Sequence, residues 1–539
     1  MSDSLSIIFL GGLGEIGRNM CVIEGQKESI IIDCGMMFPS PNMYGIRKVT
    51  AHINFLDTYT KPIRGVFLTH GHEDHVGGLP FLYQKISAPL YGSPLSLAIA
   101  KQKLRYRSLW RSIEFVPIVP KTKVECGEFS ITPIHVCHSI PNCFSFLIEH
   151  KNGRILHSGD FKLDTDPVDN QPTDLETIEQ LSEKGIDILL SDSTNANSKG
   201  SSPSESSIYQ NLLEKSKPIK GKIIIALFAS HVHRVIQCFK LAKELNRNVL
   251  VLGAALVDTL KIAQEAGIIP KYEHRITFGQ SSQLPDEKLL IITTGSQGEP
   301  HSMLTRSVFS RDKGINLKKD DAIIISAKTV PGNEHNVNKI LNQLPKRQIK
   351  VFDGNKGLFH VSGHGYEKDL LKLLSIVKPK YFIPVHGEYT HLLKHRAIGV
   401  ESGIDESSIY ILENGDSVSL EKGTLTKKTT AIIDQTLLDG AQLYKPTSSI
   451  FDERSHLQKH GYLVIIFKDE RADKLISKGF VEKGHPVLDE ILPYINKFMV
   501  KFDSEPEGAF SKHLFNFKPK FEAWLFERAK KRPFLNFSN

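Results

Sequence analysis

Short apolar runs separated by glycine or polar turns dominate the first 160 residues. Ser6–Leu10, Met20–Ile23, Ser29–Asp33, Val66–Thr69, Ser130–Ile134, Phe144–Ile148 and Arg154–His157 each read as a strand. Helical stretches are fewer, and Pro94–Leu109 is the clearest. Many strands with a few helices predict sheets covered by helices. From about Ser204 the rhythm changes. Helix-like Ser204–Ser216 is followed by a β run at Lys222–Phe228, a helix at His233–Leu245, a strand at Asn248–Leu252 and a helix at Asp258–Ala266. Leu289–Thr293 and Asp321–Ser326 continue as strands, and Glu334–Leu344 as a helix. Such alternation predicts parallel βαβ units in a separate α/β domain. Polar motifs of the first region resume after it, at His386, so this domain is expected to be an insertion. After the polar stretch Lys445–Ser449 a small unit follows, with strand-like Tyr462–Phe467 and helix-like Val487–Val500. No internal repeat or low-complexity segment occurs.

A chain of 539 residues exceeds one ordinary core, and roughly two to four domains are expected. The 68 Lys+Arg against 60 Asp+Glu leave a mild bias toward polyanions. Six cysteines without a Cys-x-x-Cys pair argue for reduced thiols in a cytosolic protein, not a disulfide framework. The N-terminal run reads as a first strand rather than a signal peptide, and no apolar stretch is long enough to span a bilayer.

The chemistry concentrates at His70-Gly71-His72-Glu73-Asp74-His75, on the loop leaving the apolar run 65–69. Imidazole with carboxylate suits zinc, or manganese where oxygen ligands contribute more. Four ligands this close rarely serve one ion. His70 and His72 alternate along an extended backbone and can converge on one metal, while Asp74 and His75 lie past the turn and can face a second. His138, Asp160 and His386 each follow another apolar run, which puts them on a sheet rim. Taken alone, each is usually a turn residue or a cap; together with the first cluster they read as ligands.

These segments resemble the metallo-β-lactamase superfamily and, within it, the β-CASP nucleases of the bacterial ribonuclease J family. The resemblance rests on Gly11–Asn19, Asp33, Thr69–Gly78, His138–Pro141, Gly159–Asp164, Asp192–Thr194, His231–Arg234, Gly295–Gly298, His360–Gly365 and His386–Glu388. It spans the chain from end to end. It implies an αββα sandwich (residues 1–203 and 356–445) interrupted by an α/β β-CASP domain (204–355) and followed by a linker and a small α+β domain (446–539).

The family pattern implies two divalent metal ions, zinc first, with Mn²⁺ or Mg²⁺ as alternatives. His70, His72 and His138 would hold one; Asp74, His75 and His386 the other; Asp160 would bridge them. Asp33 corresponds to an outer aspartate that orients ligand histidines. Two such ions lower the pKa of a bridging water, whose hydroxide attacks phosphorus, and clamp an in-line displacement. Ser230, His231, Val232 and His233, with His360, Val361, Ser362, Gly363 and His364, would bind single-stranded RNA and its 5′ monophosphate. His364 is the first candidate to stabilise the transition state or protonate the leaving oxygen, and Asp192 the second. The expected activity is a 5′→3′ exoribonuclease with endonuclease cleavage in addition, serving RNA maturation and decay. A homodimer or homotetramer, an RNA-degradation complex and a cytoplasmic location without membrane contact follow from the same resemblance.

Two other readings stay open: a small-molecule hydrolase on the same metal core, and a silent RNA-binding subunit. The glycines of 11–17 fit a hairpin turn near the metals better than a dinucleotide loop, because no helix or ribose-binding acid follows at the expected spacing. Gly295–Gly298 lacks a Lys-Ser/Thr ending and reads as an ordered turn. The loop Pro39–Arg47 carries no carboxylate, unlike the usual family loop, so no accessory calcium site is expected. In the C-terminal tail, Phe517, Phe521, Trp524 and Phe526 lie among lysines and arginines; the spacing fits RNA contact and a buried helix face alike.

Overall fold

A computed structural model describes residues 4–39, 43, 45–105, 108–309, 314–330, 332–354, 359–429, 436–439, 442–445, 447–500 and 509–538. The expected boundary at 355/356 and part of the Pro39–Arg47 loop fall outside these residues. Two compact units result: Met1–Phe38 with Lys48–Thr436, and Pro39–Arg47 with Leu437–Asn539.

The larger unit contains a sandwich of two sheets. One sheet has eight strands, ordered Thr424–Thr429, Asp416–Glu421, Ser4–Gly11, Met20–Glu24, Ser29–Ile32, Ile63–Phe67, Leu90–Gly92 and Phe115–Pro117. The other has six, ordered Val124–Cys126, Phe129–Val136, Cys143–His150, Gly153–His157, Ile188–Asp192 and Tyr381–Val385. Alternate residues of both sheets meet in one core, with Ile7, Phe9, Ile32 and Phe67 facing Phe144, Phe146, Ile155 and Ile188. Burying such side chains away from water is the main favourable term of this packing. The predicted strand 66–69 ends at Phe67, because the Thr69 N–H and hydroxyl turn to donate to Asp33 at 2.8 and 2.7 Å.

Strand direction sets the working edge. Gly153–His157, Ile188–Asp192 and Tyr381–Val385 pair in parallel. Phe129–Val136 is two antiparallel pairings from Gly153–His157 and so runs the same way. His138, Asp160, Asp192 and His386 therefore emerge at one rim. Ser29–Ile32 and Ile63–Phe67 are likewise parallel, which brings Asp33 and His70 to the same end of their sheet.

The interrupting α/β layer is all parallel. Its strands are ordered Arg275–Ile276, Asn248–Leu252, Leu289–Thr293, Ile223–Ala226, Ala322–Ile325 and Lys350–Phe352. Runs such as Ile223-Ile224-Ile225 are buried throughout, as a parallel sheet covered on both faces requires. Gly295–Gly298 is an ordered turn there, held by Gln297, which accepts from Val330 N and donates to Lys328 O.

In the smaller unit, Tyr462–Lys468 pairs antiparallel with Arg471–Lys478 and parallel with Phe534–Ser538. Helices Pro486–Met499 and Ala509–Ala529 contribute to its core. Phe517, Phe521 and Leu525 are fully buried in that core, and Trp524 stacks on Tyr494 at 4.3 Å. Phe517, Phe521 and Trp524 are thus occupied in packing, while Phe526 is exposed, with Lys530 and Arg532 over its ring. No described helix is long and apolar enough to cross a membrane.

Candidate metal centre

Three imidazoles close the first cluster. His72 Nδ1 lies 3.0 Å from both His70 Nε2 and His138 Nε2. The tautomers follow from the outer partners. His138 Nδ1 is 2.7 Å from Gly363 O, which can only accept, so Nδ1 carries the proton and Nε2 presents a lone pair. The Thr69 hydroxyl donates to Asp33 and accepts from His70 Nδ1 at 3.1 Å, which leaves His70 Nε2 a lone pair as well. Two acceptors thus face His72 Nδ1, which has at most one proton to share. A cation among the three resolves the conflict, and the edge of a tetrahedral zinc–imidazole site is about 3.3 Å. Burial keeps all three neutral, with His72 lowered to about 4.

The second cluster is rich in carboxylate. Asp74, His75, Asp160 and His386 bring their ligand atoms within 4.8 Å of one another. His75 Nδ1 donates to Asp33 Oδ2 at 2.7 Å, while Nε2 faces Asp160 at 3.2 Å and Asp74 at 3.6 Å. His386 Nδ1 is 2.9 Å from Asp160 Oδ1, and its buried Nε2, 3.4 Å from Asp74, has no hydrogen-bond partner among the described residues. Burial alone lowers both imidazoles, but Asp160 and its neighbours outweigh it. They raise His75 well above its ordinary value and His386 to about 10. Protons held so firmly mark where the site requires positive charge. Asp160 lies between the clusters, 3.7 and 3.8 Å from His70 and His138 and 3.2 and 2.9 Å from His75 and His386. These donors fit two divalent ions, with hard oxygens and borderline nitrogens in the proportions zinc accepts.

Backbone geometry supports this arrangement. Asp33 and His386 adopt positive φ, 57° and 51°, a conformation uncommon outside glycine and concentrated where structure over-determines it. Gly363 has no room for a side chain, since a Cβ would sit 2.6 Å from His138 Nδ1.

His364, on the same turn as Gly363, places Nδ1 2.7 Å from Asp192 Oδ2 and 3.9 Å from Asp160. Burial opposes its charge, but Asp192 raises it above the ordinary histidine value. Asp192 is held in turn by Thr194, whose N–H and hydroxyl donate to Oδ1 at 2.9 and 2.7 Å. Asp192 is therefore the hydrogen-bond partner of His364, and its Oδ1 also lies 3.8 Å from His386 Nδ1 at the second cluster.

Of the two expected RNA segments, His231 caps helix Val232–Glu244 through Nδ1, which accepts from Arg234 N. Among the described residues, His231 Nε2 and His360 Nδ1 are buried without hydrogen-bond partners, their rings 6.0 Å apart, with Glu205 3.9 Å from His231 Nε2. Ser230, His360, Ser362 and His364 are half-buried, whereas Val232 and Val361 are buried in packing. His233 is buried against Asp169 at 3.1 Å. Cys137 donates to Gln171 O, and burial pushes its thiol up to about 11.

Three participants escaped the sequence reading. Asn19 lies 3.1 Å from His75 Nε2, at the end of the glycine turn. Asn195 donates to Ser362 Oγ and His364 O, at 2.7 and 3.2 Å. Arg234 is fully buried, paired with Glu205 at 2.6 Å and bonded to Phe359 O. Asn19 and Arg234 end motifs on which the resemblance rests, and Asn195 directly follows one, but none was given a role.

Sheet sandwich, α/β insertion and rim cluster define a metallo-hydrolase of the metallo-β-lactamase class. Residues 13–233 match the model of the metallo-beta-lactamase superfamily, 220–344 that of the ribonuclease J beta-CASP domain, and 358–408 that of the Zn-dependent metallo-hydrolase RNA specificity domain. The chain is 38% identical to ribonuclease J of Helicobacter pylori over 479 residues, covering 88% of this chain and 70% of that one. It is 34% identical to ribonuclease J 1 of Streptococcus pyogenes, covering 88% and 85%. It is 29% identical to ribonuclease J2 of Bacillus subtilis, covering 99% and 98%. A crystal structure of a protein of unknown function from Enterococcus faecalis matches the fold with a TM-score of 0.55 at 16% identity, over 77% of this chain and all of that one. The chain belongs to the ribonuclease J family.

Proposed function

We propose that this chain degrades single-stranded RNA from a 5′ monophosphate in the 5′→3′ direction, with endonucleolytic cleavage as a second mode, in RNA maturation and decay. The observation that carries this reading is the contact of His138 with Gly363. It ties a cation-demanding cluster to a turn whose neighbouring histidines, His231 and His360, hold buried nitrogens without a hydrogen-bond partner among the described residues.

His70, His72 and His138 would hold one divalent ion, Asp74, His75 and His386 the other, and Asp160 both. When bound, such ions supply a water of lowered pKa and neutralise charge on the phosphoryl oxygens. Zinc suits the nitrogen-rich set; manganese and magnesium are the alternatives. Asp33 fixes the rings of His75 directly and of His70 through Thr69. His364, oriented by Asp192, delivers a proton to the leaving oxygen. His231 and His360 donate to the 5′ phosphate, with Ser230 and Ser362 at the edges. A groove between the insertion 204–355 and the domain formed by 1–203 and 356–445 would admit the RNA, with 446–539 serving assembly into a homodimer or homotetramer in the cytoplasm.

The test is turnover of one single-stranded RNA bearing a 5′ monophosphate or triphosphate, labelled at each end in turn, with Zn²⁺ or Mn²⁺. A His72→Ala/Asp74→Ala variant serves as control. Early mononucleotides from the monophosphate form, absent in the control, are expected. Metal-dependent cleavage of neither RNA would overturn the nuclease reading.

A further inference from the structure

The metal loop packs against a helix whose far end is strongly basic. A Cβ at Gly71, between His70 and His72, would lie 2.6 Å from Ile99 Cδ1 in helix Pro94–Arg105. One turn further on, Lys103 pairs with Glu73 of the same loop. From His75 to Ile113 the sequence carries Lys85, Lys101, Lys103, Arg105, Arg107 and Arg111 but no Asp or Glu.

Three of these cations surround one indole. Lys101 Nζ, Arg105 Cζ and Arg111 Cζ lie 5.2, 5.5 and 5.5 Å from the centre of the Trp110 ring. Lys101 also lies 5.5 Å from the Phe115 ring. Arg105 and Arg111 are exposed and Trp110 is half-buried. Among the described residues, none of the three cations forms an ion pair with a carboxylate. A single cation–π contact is worth about 0.5–1 kcal/mol at an exposed site. One cation would serve that purpose, and three repel one another. A polyanion removes the repulsion, and the indole offers a base a face to stack on. A basic surface with an interleaved aromatic ring is what single-stranded nucleic acid requires. Ile99 and Arg105 are six residues apart, about 9 Å along the helix axis.

We propose that Trp110, Lys101, Arg105 and Arg111 form a contact for the RNA strand on the 3′ side of the scissile phosphate. The inference rests on the reading above, in which the 5′ end is held by the turns at 230–233 and 359–364; only the strand beyond the metals is left to reach this patch. Lys101, Arg105 and Arg111 contact phosphates, and Trp110 stacks on a base without selecting it.

The test measures equilibrium binding by fluorescence anisotropy, with metals chelated. The ligands are a long 5′-phosphorylated single strand and a 5′-phosphorylated dinucleotide. Trp110→Ala is expected to weaken the long strand about tenfold and Trp110→Phe to restore most of it. Lys101→Gln/Arg105→Gln/Arg111→Gln is expected to weaken it further and to flatten its log–log salt dependence by about 2, three phosphate contacts' worth. Dinucleotide cleavage by the metal-loaded variants should equal wild type. Unchanged long-strand affinity in variants that keep the wild-type melting temperature would overturn the proposal. So would a changed sedimentation state at unchanged RNA affinity, which would make the patch a protein interface. Wild-type protein that shows the binding pattern but cleaves nothing would refute the nuclease reading and leave this contact standing.

Discussion

Two neighbouring regions of the larger unit drive buried histidine in opposite directions. In the carboxylate-rich cluster, Asp160 and its neighbours overcome the effect of burial and lift His386 to about 10, whereas the three imidazoles beside it stay low. In the turns 230–233 and 359–364, burial acts together with Arg234 and then Lys328, and His360 falls to about 3. His231 falls well below its ordinary value for related reasons, burial first and Arg234 second. On the proposed reading, one region takes cations and the other the 5′ phosphate. Residue type is the same in both, so the surrounding charge decides what each histidine binds. A hydrolase acting on a phosphate chain needs both fields side by side.

The strongest way to break this contrast is to weaken the cation-demanding side. Asp160→Asn removes the carboxylate that touches both clusters and should reduce RNA turnover to background in an end-labelled assay. Binding of the RNA should survive, since the turns are untouched; loss of both together would show that the regions are not separable. Next in size is His364→Ala, expected to lower kcat by about 10²–10⁴-fold with little change in KM. A larger change in KM than in kcat would assign His364 to binding instead. The anion-favouring side is sharpened by His360→Ala. The preference for 5′ monophosphate over 5′ triphosphate should fall about tenfold, the loss of about one hydrogen bond to a charged group, with cleavage of a 5′-hydroxyl strand unaltered.

The smallest expected effect is on stability. His360 and His395, which is lowered to about 3 by burial, stay neutral in the folded chain but take up protons when unfolded, near pH 6.5. Their contribution is fully present above that pH and is lost as pH falls from it toward 3. Each costs up to about 1.4 kcal/mol per pH unit within that window. Denaturant melts across the range should therefore flatten in His395→Leu; an unchanged slope would mean that His395 is protonated in the folded chain.

Much of the fold was legible because strand signals are local. The runs at 20–23, 144–148, 248–252 and 289–293 all became strands, and Glu334–Leu344 lies in helix Glu334–Lys346. The parallel insertion followed from alternation alone. Boundaries shifted where side chains intervened. Helix Val232–Glu244 begins one residue before its predicted start because His231 caps it. The strand Asp416–Glu421, which joins the sheet beside Ser4–Gly11, carried too mixed a pattern to read.

The cluster at 70–75 could be recognised as chemistry by itself, since its ligand types lie within six residues of one another. Which atoms face one another could not. Asn19 meets His75 across 56 positions, His364 meets Asp192 across 172, and His138 meets Gly363 across 225. Those pairings exist only once sheet order has brought distant strand ends to one rim. Local periodicity determines the elements and the chemistry that each can carry. Tertiary packing decides the tautomers, the charges and the partners, because the electrostatic field at a buried atom is the sum over neighbours that the chain itself places far apart.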